Sequence, residues 1–440
     1  MTFDEVLPAL VRLCESVPHF DAIERAALVR DLRGNVRLVL DRGRDGHALD
    51  LGALSSKLVA ALGVWFVPPV LTTSDPKERG TLARAAFDHA RPWKPEWLDP
   101  ATDTRVSAKG AWYLLERRLS KGQWLAPPPL RALWPLRAGN PGIVTFYSFK
   151  GGVGRTTALV GCAWQLARRG SRVVVVDLDL EAPGLGMLLD CETDRGVLDF
   201  IVDHIGTGAT DLRAMLGTAR ALGDDAERVT VLPAGRLGVG FLEKLGRLDF
   251  AGGGLWPQDG ESPVELALAD LLRRVRRELK PDYILLDSRA GLHDIAGLSL
   301  HRLAHVDVLV GRASRQGYEG LALTIEALSK RKRRSEMRTV LLHSMTPPDQ
   351  TSPEGIAELQ EFQKRGWDLF SQHVYGDQAD AVGEHAPEAH HIPIPIPFDY
   401  ALTRFSSLAG IDRVLFGPHY ERLRERIEAL CAPEDDEDST

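Results

Sequence analysis

A chain of 440 residues exceeds one ordinary hydrophobic core, so its length implies two or three domains. Hydrophobic content of 44% and charged content of 26% are those of a globular protein, and a net charge of -7 excludes whole-surface attraction to nucleic acid or anionic lipid, leaving only a local patch for either. Cys14, Cys162, Cys191 and Cys431 stand far apart without a CxxC pair, which argues against a zinc ribbon or a disulfide framework and fits a reducing cytosol. The acidic start (Asp4, Glu5) and the breaks at Gly63, Pro68 and Pro69 in the longest apolar stretch support neither export nor a membrane span, so the expected location is cytoplasmic with no membrane partner.

From Met1 to about Ser120 the pattern reads as mainly helical, with helical periodicity at Phe3 to Cys14 and Asp21 to Leu32 and no catalytic motif. This stretch is expected to form a smaller N-terminal domain of unstated role, through which an unknown protein partner would bind. Trp65, Trp93, Trp97, Trp112, Trp124 and Trp134 crowd into the first third; they form either a recognition surface or, as indoles usually do, a core. Pro127, Pro128, Pro129, Pro135 and Pro141 with Gly122, Gly139 and Gly142 predict a linker over 121–142.

Beyond it, strand and helix signals alternate: strand 143–147, helix 156–169, strand 172–177, strand 228–232, helix 263–279, strand 282–287, strand 306–310, helix 317–330, strand 338–343, helix 353–366 and strand 392–396. Such alternation predicts an α/β fold over 143–431, a parallel sheet sandwiched by helices with its ligand at the carboxyl ends of the strands. Gly235 to Ser262 reads as an irregular insertion, and 432–440 as an acidic tail too polar to pack.

Between the first of these strands and its helix stands Phe149-Lys150-Gly151-Gly152-Val153-Gly154-Arg155-Thr156-Thr157. Glycines let consecutive backbone N–H groups turn inward on an anion, and the helix that follows adds the positive end of its dipole. A strand, a glycine loop and a helix in this order make a phosphate cradle. Two more apolar strands end in carboxylates: Val173 to Val176 run into Asp177-Leu178-Asp179, and Tyr283 to Leu286 into Asp287.

These three motifs together resemble the deviant Walker A ATPases of the ParA/MinD group, a P-loop NTPase fold, over roughly Gly142 to Leu430. Arg155, where Lys is usual, resembles the subgroup named for its KGGVGR motif. The resemblance implies ATP and Mg²⁺ as ligands. Gly151, Gly152, Val153, Gly154, Arg155, Thr156 and Thr157 would hold the phosphates, with Mg²⁺ on Thr156 and, through water, on Asp287. Arg155 keeps a positive charge but is a planar fork rather than a point charge, which implies retained binding and weakened turnover. Lys150 matches the lysine that reaches a partner's phosphates in an ATP-bound homodimer; the alternative is that it neutralises its own subunit's nucleotide.

Asp179 matches the acid that orients the attacking water, and Asp177 a magnesium-shell or structural partner; the alternative is that both carboxylates simply cap the strand end. Gly291 matches a second switch, and Arg289 is either a second phosphate cation or an ordinary salt-bridge residue. Pro397 and Asp399 match an element whose backbone lies against adenine, whereas His343 follows a strand after which the family often has Asn. His385, His390 and His391 lack the carboxylate pattern of a metal site. The run Lys330 to Arg334 is either a non-specific DNA contact or charge at a helix C-terminus. The expected function is an ATP-binding, Mg²⁺-dependent switch with slow or regulated hydrolysis; the alternative is a non-hydrolysing nucleotide-sensing interaction protein in bacterial defence or signalling.

Overall fold

A computed structural model describes all residues except 44–48, 100–103, 119, 126–131, 252–261, 331–336, 405–406 and 434–440. The proline run at 127–129, Trp256, most of the basic run and the acidic tail beyond Pro433 lie outside the described residues. Contacts divide the chain into one unit of Met1–Ser120 and a second that takes in the described residues from Lys121 onward.

The first unit is not mainly helical. Helices Phe3–Glu15, Leu51–Leu62 and Lys77–His89 accompany a five-stranded sheet in the order Leu71–Thr72, Val36–Asp41, Arg25–Arg30, Trp112–Glu116, Arg91–Trp93. The expected helix at 21–32 is instead the strand Arg25–Arg30, antiparallel to Val36–Asp41 and parallel to Trp112–Glu116. The reason lies in two-sided burial. Ala26 and Leu28 face one apolar cluster while Ala27 and Val29 face another, so the strand reads as an unbroken apolar run that periodicity cannot separate from a helix. Trp112 is core rather than recognition surface, stacked on Phe20 at 5.6 Å with its Nε1 donating to Glu15 at 3.0 Å.

In the second unit the order of strands is Gly217–Thr218, Val229–Leu232, Val173–Asp177, Tyr283–Asp287, Gly142–Tyr147, Val306–Gly311, Thr339–Thr346 and Ile394–Pro397. Every neighbouring pair is parallel except the first. Parallel strands need helical crossovers, and the helices cover both faces in clusters built on Leu159, Val175 and Leu285 on one side and on Val176, Leu272 and Ile284 on the other. This is the expected α/β sandwich.

Two expectations are corrected. The described part of 121–142 is no spanning linker: Trp124 and Trp134 are buried, Trp124 Nε1 donates to the His293 carbonyl at 2.7 Å, and Trp134 Nε1 to the Pro141 carbonyl at 2.9 Å. His305 clamps the same segment, its Nδ1 accepting from Ile143 N at 2.9 Å and its Nε2 lying 2.7 Å from the Trp134 carbonyl. The first half of the supposed insertion is a helix, Val239–Ala251, whose Phe241 and Leu248 are buried. Glycines at 240 and 246 hid it, because a residue that weakens a helix does not forbid one that packing supports.

Candidate functional site

The glycine turn leaves the carboxyl end of Gly142–Tyr147, a central strand of the sheet. Gly152 and Gly154 take φ of 72° and 80°, the left-handed region that side chains avoid, and Gly154 caps the helix Arg155–Arg168. A Cβ on Gly151, Gly152 or Gly154 would meet nothing within 4 Å, so the turn faces open space on that side. Lys150 is exposed and makes no hydrogen bond or ion pair among the described residues, Val153 is buried, and Thr157 is half-buried.

Parallel register sets Asp287 beside Asp177 on one side and beside Phe146 on the other, which places two buried carboxylates at adjacent strand ends next to the turn. Burial and the charge of Asp287 push the Asp177 carboxyl up to about 8. Its oxygens accept from the backbone N–H groups of Asp179, Gly184 and Leu185 at 3.1, 3.3 and 3.1 Å, a structural role that shapes the chain after the strand. Burial also raises Asp287, against the pull of Arg155 and Thr156.

Arg155 turns into this acid cluster. Its Nε donates to Asp287 Oδ1 at 2.7 Å and its Nη2 to Asp179 Oδ2 at 2.9 Å, with only 8% of the residue exposed. Burial opposes the guanidinium charge, but Asp287 and Asp179 more than offset it, so its pKa is raised. The arginine therefore does not extend along the turn as a phosphate-following lysine would; its Nε and Nη2 are each bound to a different carboxylate. Thr156 Oγ1 donates to the other Asp287 oxygen at 2.7 Å. Two hard oxygens from Thr156 and Asp287 thus already converge, a donor pair that suits Mg²⁺.

Arg289 pairs with Glu181, and His293 Nε2 lies 3.4 Å from the same carboxylate. Arg289 holds Glu181 below the usual carboxylate range. Of the two readings of Arg289, the salt bridge is the one present. Gly291 has φ of 75°, and its N–H donates to the Ser148 carbonyl at 3.1 Å, which ties this loop to the residue ahead of the glycine turn. Glu181 was missed because a polar residue in a loop carries no signal of its partner.

Gly320 was missed as well. A Cβ there would stand 2.1 Å from Phe149 Cγ, so this helical glycine makes room for the residue before Lys150.

Pro397 ends the edge strand Ile394–Pro397, on the carboxyl edge shared with the turn, and Asp399 Oδ1 accepts from Ala401 N at 2.8 Å. His343 is fully buried and stacks on Phe362 at 3.9 Å, and burial pushes its pKa down to about 4. His391 Nε2 lies 2.8 Å from the Glu384 carbonyl and its Nδ1 3.0 Å from the Tyr375 hydroxyl, while His390 Nδ1 lies 3.0 Å from the Thr339 carbonyl. Among the described residues no group of three or more His, Cys, Asp or Glu is arranged to hold a metal by itself, and no helix is long and apolar enough to cross a membrane.

The septum site-determining protein MinD of Escherichia coli strain K12 is 37% identical over 92 residues, 21% of this chain and 32% of that protein. The matched segment thus spans about a third of that relative's length. Among solved structures, the cell division ATPase MinD of Pyrococcus furiosus aligns at 20% identity over 66% of this chain and 99% of that one, with a TM-score of 0.42. Apo McdA of Cyanthece aligns at 15% identity over 66% and 98%, with a TM-score of 0.46. The model of the CobQ/CobB/MinD/ParA nucleotide binding domain matches residues 144–385, more than half of the chain and the whole stretch from the glycine turn through the acid cluster, so the chain belongs to that family.

Proposed function

We propose that this protein is an ATP-binding, Mg²⁺-dependent switch of the ParA/MinD type, carrying the deviant Walker A motif in its KGGVGR form, with slow or regulated hydrolysis and ATP-driven homodimerisation. One observation carries the reading: Arg155 is tied to both Asp287 and Asp179. Phosphates enter the glycine turn without disturbing this arrangement, since the turn's open side lies at Gly151, Gly152 and Gly154. Hydrolysis is another matter. Asp179 would orient the attacking water, and here the guanidinium occupies one of its two oxygens, which restricts how it can do so.

Mg²⁺, held by Thr156 and Asp287, would neutralise charge on the phosphate oxygens. Lys150, exposed beside the turn, is available to phosphates of its own subunit or of a second copy. The Pro397–Asp399 element, on the same edge, would carry the base. The output is a changed partner surface, because a ligand shifts a conformational balance only by its difference in affinity for the two states. Residues 1–120 would read that output in the cytoplasm.

The same tether favours a second reading, a nucleotide-sensing interaction protein that binds ATP without turning it over. Phosphate release at saturating Mg·ATP separates the two: release abolished by Asp179→Ala supports the switch that hydrolyses, and tight ATP binding with no release from the parent chain supports the sensor. Lys330, the one described residue of the basic run, pairs with Glu326 at 2.5 Å, as a cation at a helix end would. Unchanged low-salt duplex binding after charge reversal at 331–334 would remove the DNA role.

A further inference from the structure

At the amino edge of the large sheet, opposite the glycine turn, lies a concavity of about 830 Å³. Its wall gathers Arg137, Arg172, Arg273, Arg276, Arg277 and Lys280. Helix Pro263–Leu279 contributes three of these cations and Lys280 ends it with φ of 48°. A helix C-terminus commonly attracts positive charge, so those four alone would be ordinary. Arg137 and Arg172 are not part of that helix. They come from the segments ahead of Gly142–Tyr147 and Val173–Asp177, yet they line the same hollow.

Among the described residues, few acids face the cations of the helix and Arg172. Asp282 is the carboxylate among the described residues of the lining, 3.8 Å from Arg172 Nε, with both side chains about half exposed, and Arg277 reaches Glu278 at 3.4 Å. The Arg276 guanidinium lies 5.1 Å over the Trp134 ring, which orients it without neutralising it. Arg273 and Lys280 make no hydrogen bond or ion pair among the described residues. Like charges from three segments converge on one hollow at an electrostatic cost that an anion would offset.

We infer that this hollow is a binding site for a small molecule bearing two or more phosphate groups. Arginine forks suit phosphate oxygens, and the volume falls within the range of roughly 300–1,000 Å³ found for small-molecule sites. A duplex would call for an extended basic stripe instead of a hollow. Tyr283–Asp287 starts at the hollow and ends in the acid cluster, so its two ends lie about 13 Å apart and anions there bind without touching.

The probe is inorganic tripolyphosphate, titrated calorimetrically into the full chain and three variants whose thermal melting confirms folding. Binding should weaken at least tenfold in Arg273→Ser/Lys280→Ser and hold in Thr156→Ala, and monophosphate should bind at least tenfold more weakly than tripolyphosphate. Equal affinity in the double variant overturns the inference, as does loss in Thr156→Ala alone, which would place all binding in the glycine turn. The sequence after Pro433 is Glu434-Asp435-Asp436-Glu437-Asp438. Binding that emerges only when these five are replaced by Asn and Gln would mean that the chain's own acids fill the hollow, which also overturns it. A duplex that binds through Arg273 and Lys280 where tripolyphosphate does not would replace the small molecule with nucleic acid.

Discussion

Arg155 spans two carboxylates because its guanidinium presents donors on separate nitrogens; a lysine ammonium cannot hold Asp287 and Asp179 at 2.7 and 2.9 Å in the same way. Arg155→Lys should therefore free Asp179 and raise phosphate release about tenfold, equivalent to ~1.4 kcal/mol of barrier. An unchanged rate would show that the tether does not limit turnover. His343 gives a second test. Buried and neutral, with its pKa pushed down to about 4, it refuses a proton that the unfolded chain accepts below about 6.5. Its contribution is thus intact at pH 7 and lost as pH falls from about 6.5 towards 4. His343→Leu should flatten part of that loss, read as a smaller drop in urea midpoint between pH 7 and pH 5; an identical drop would contradict it. The glycines and Thr156 were legible as one contiguous motif, and Asp287 as the acid that ends an apolar strand; that Arg155 would bind Asp287 and Asp179 was not. These two acids stand 132 and 24 positions from Arg155, and only the fold brings them near it.

Elements differ in how plainly the sequence declares them. Val173–Asp177 and Tyr283–Asp287 were readable from length and from their apolar runs ending in Asp. Arg25–Arg30 was not, because burial on both faces erases the alternation that marks a strand. The helix Val197–Thr207 also went unread, although Asp199 accepts from Gly196 N at 3.0 Å and helps to start it. Helix Arg315–Ser329 approaches the glycine turn through Gly320, where a methyl would lie 2.1 Å from Phe149. Gly320→Ala should cost about 1–3 kcal/mol of stability, as overpacking does, and weaken Mg·ATP binding by shifting Phe149 and Lys150. Full affinity in a folded variant would show that the turn does not depend on that contact.

At the scale of the molecule, a family match over more than half the chain, residues 144–385, follows a unit built on its own five-stranded sheet. If ATP joins two copies through Lys150, light scattering should show the mass doubling with Mg·ATP and staying single with Mg·ADP, and Lys150→Ala should stay single with both. A doubling that persists in Lys150→Ala would assign the contact elsewhere. Beneath all of these lies the proposal that a triphosphate nests between Lys150 and Thr157. Titration calorimetry of the folded chain with Mg·ATP measures it directly: the account predicts one nucleotide bound per chain, with binding lost when Gly152 is replaced by Val. A folded chain that gives no heat with Mg·ATP would contradict it.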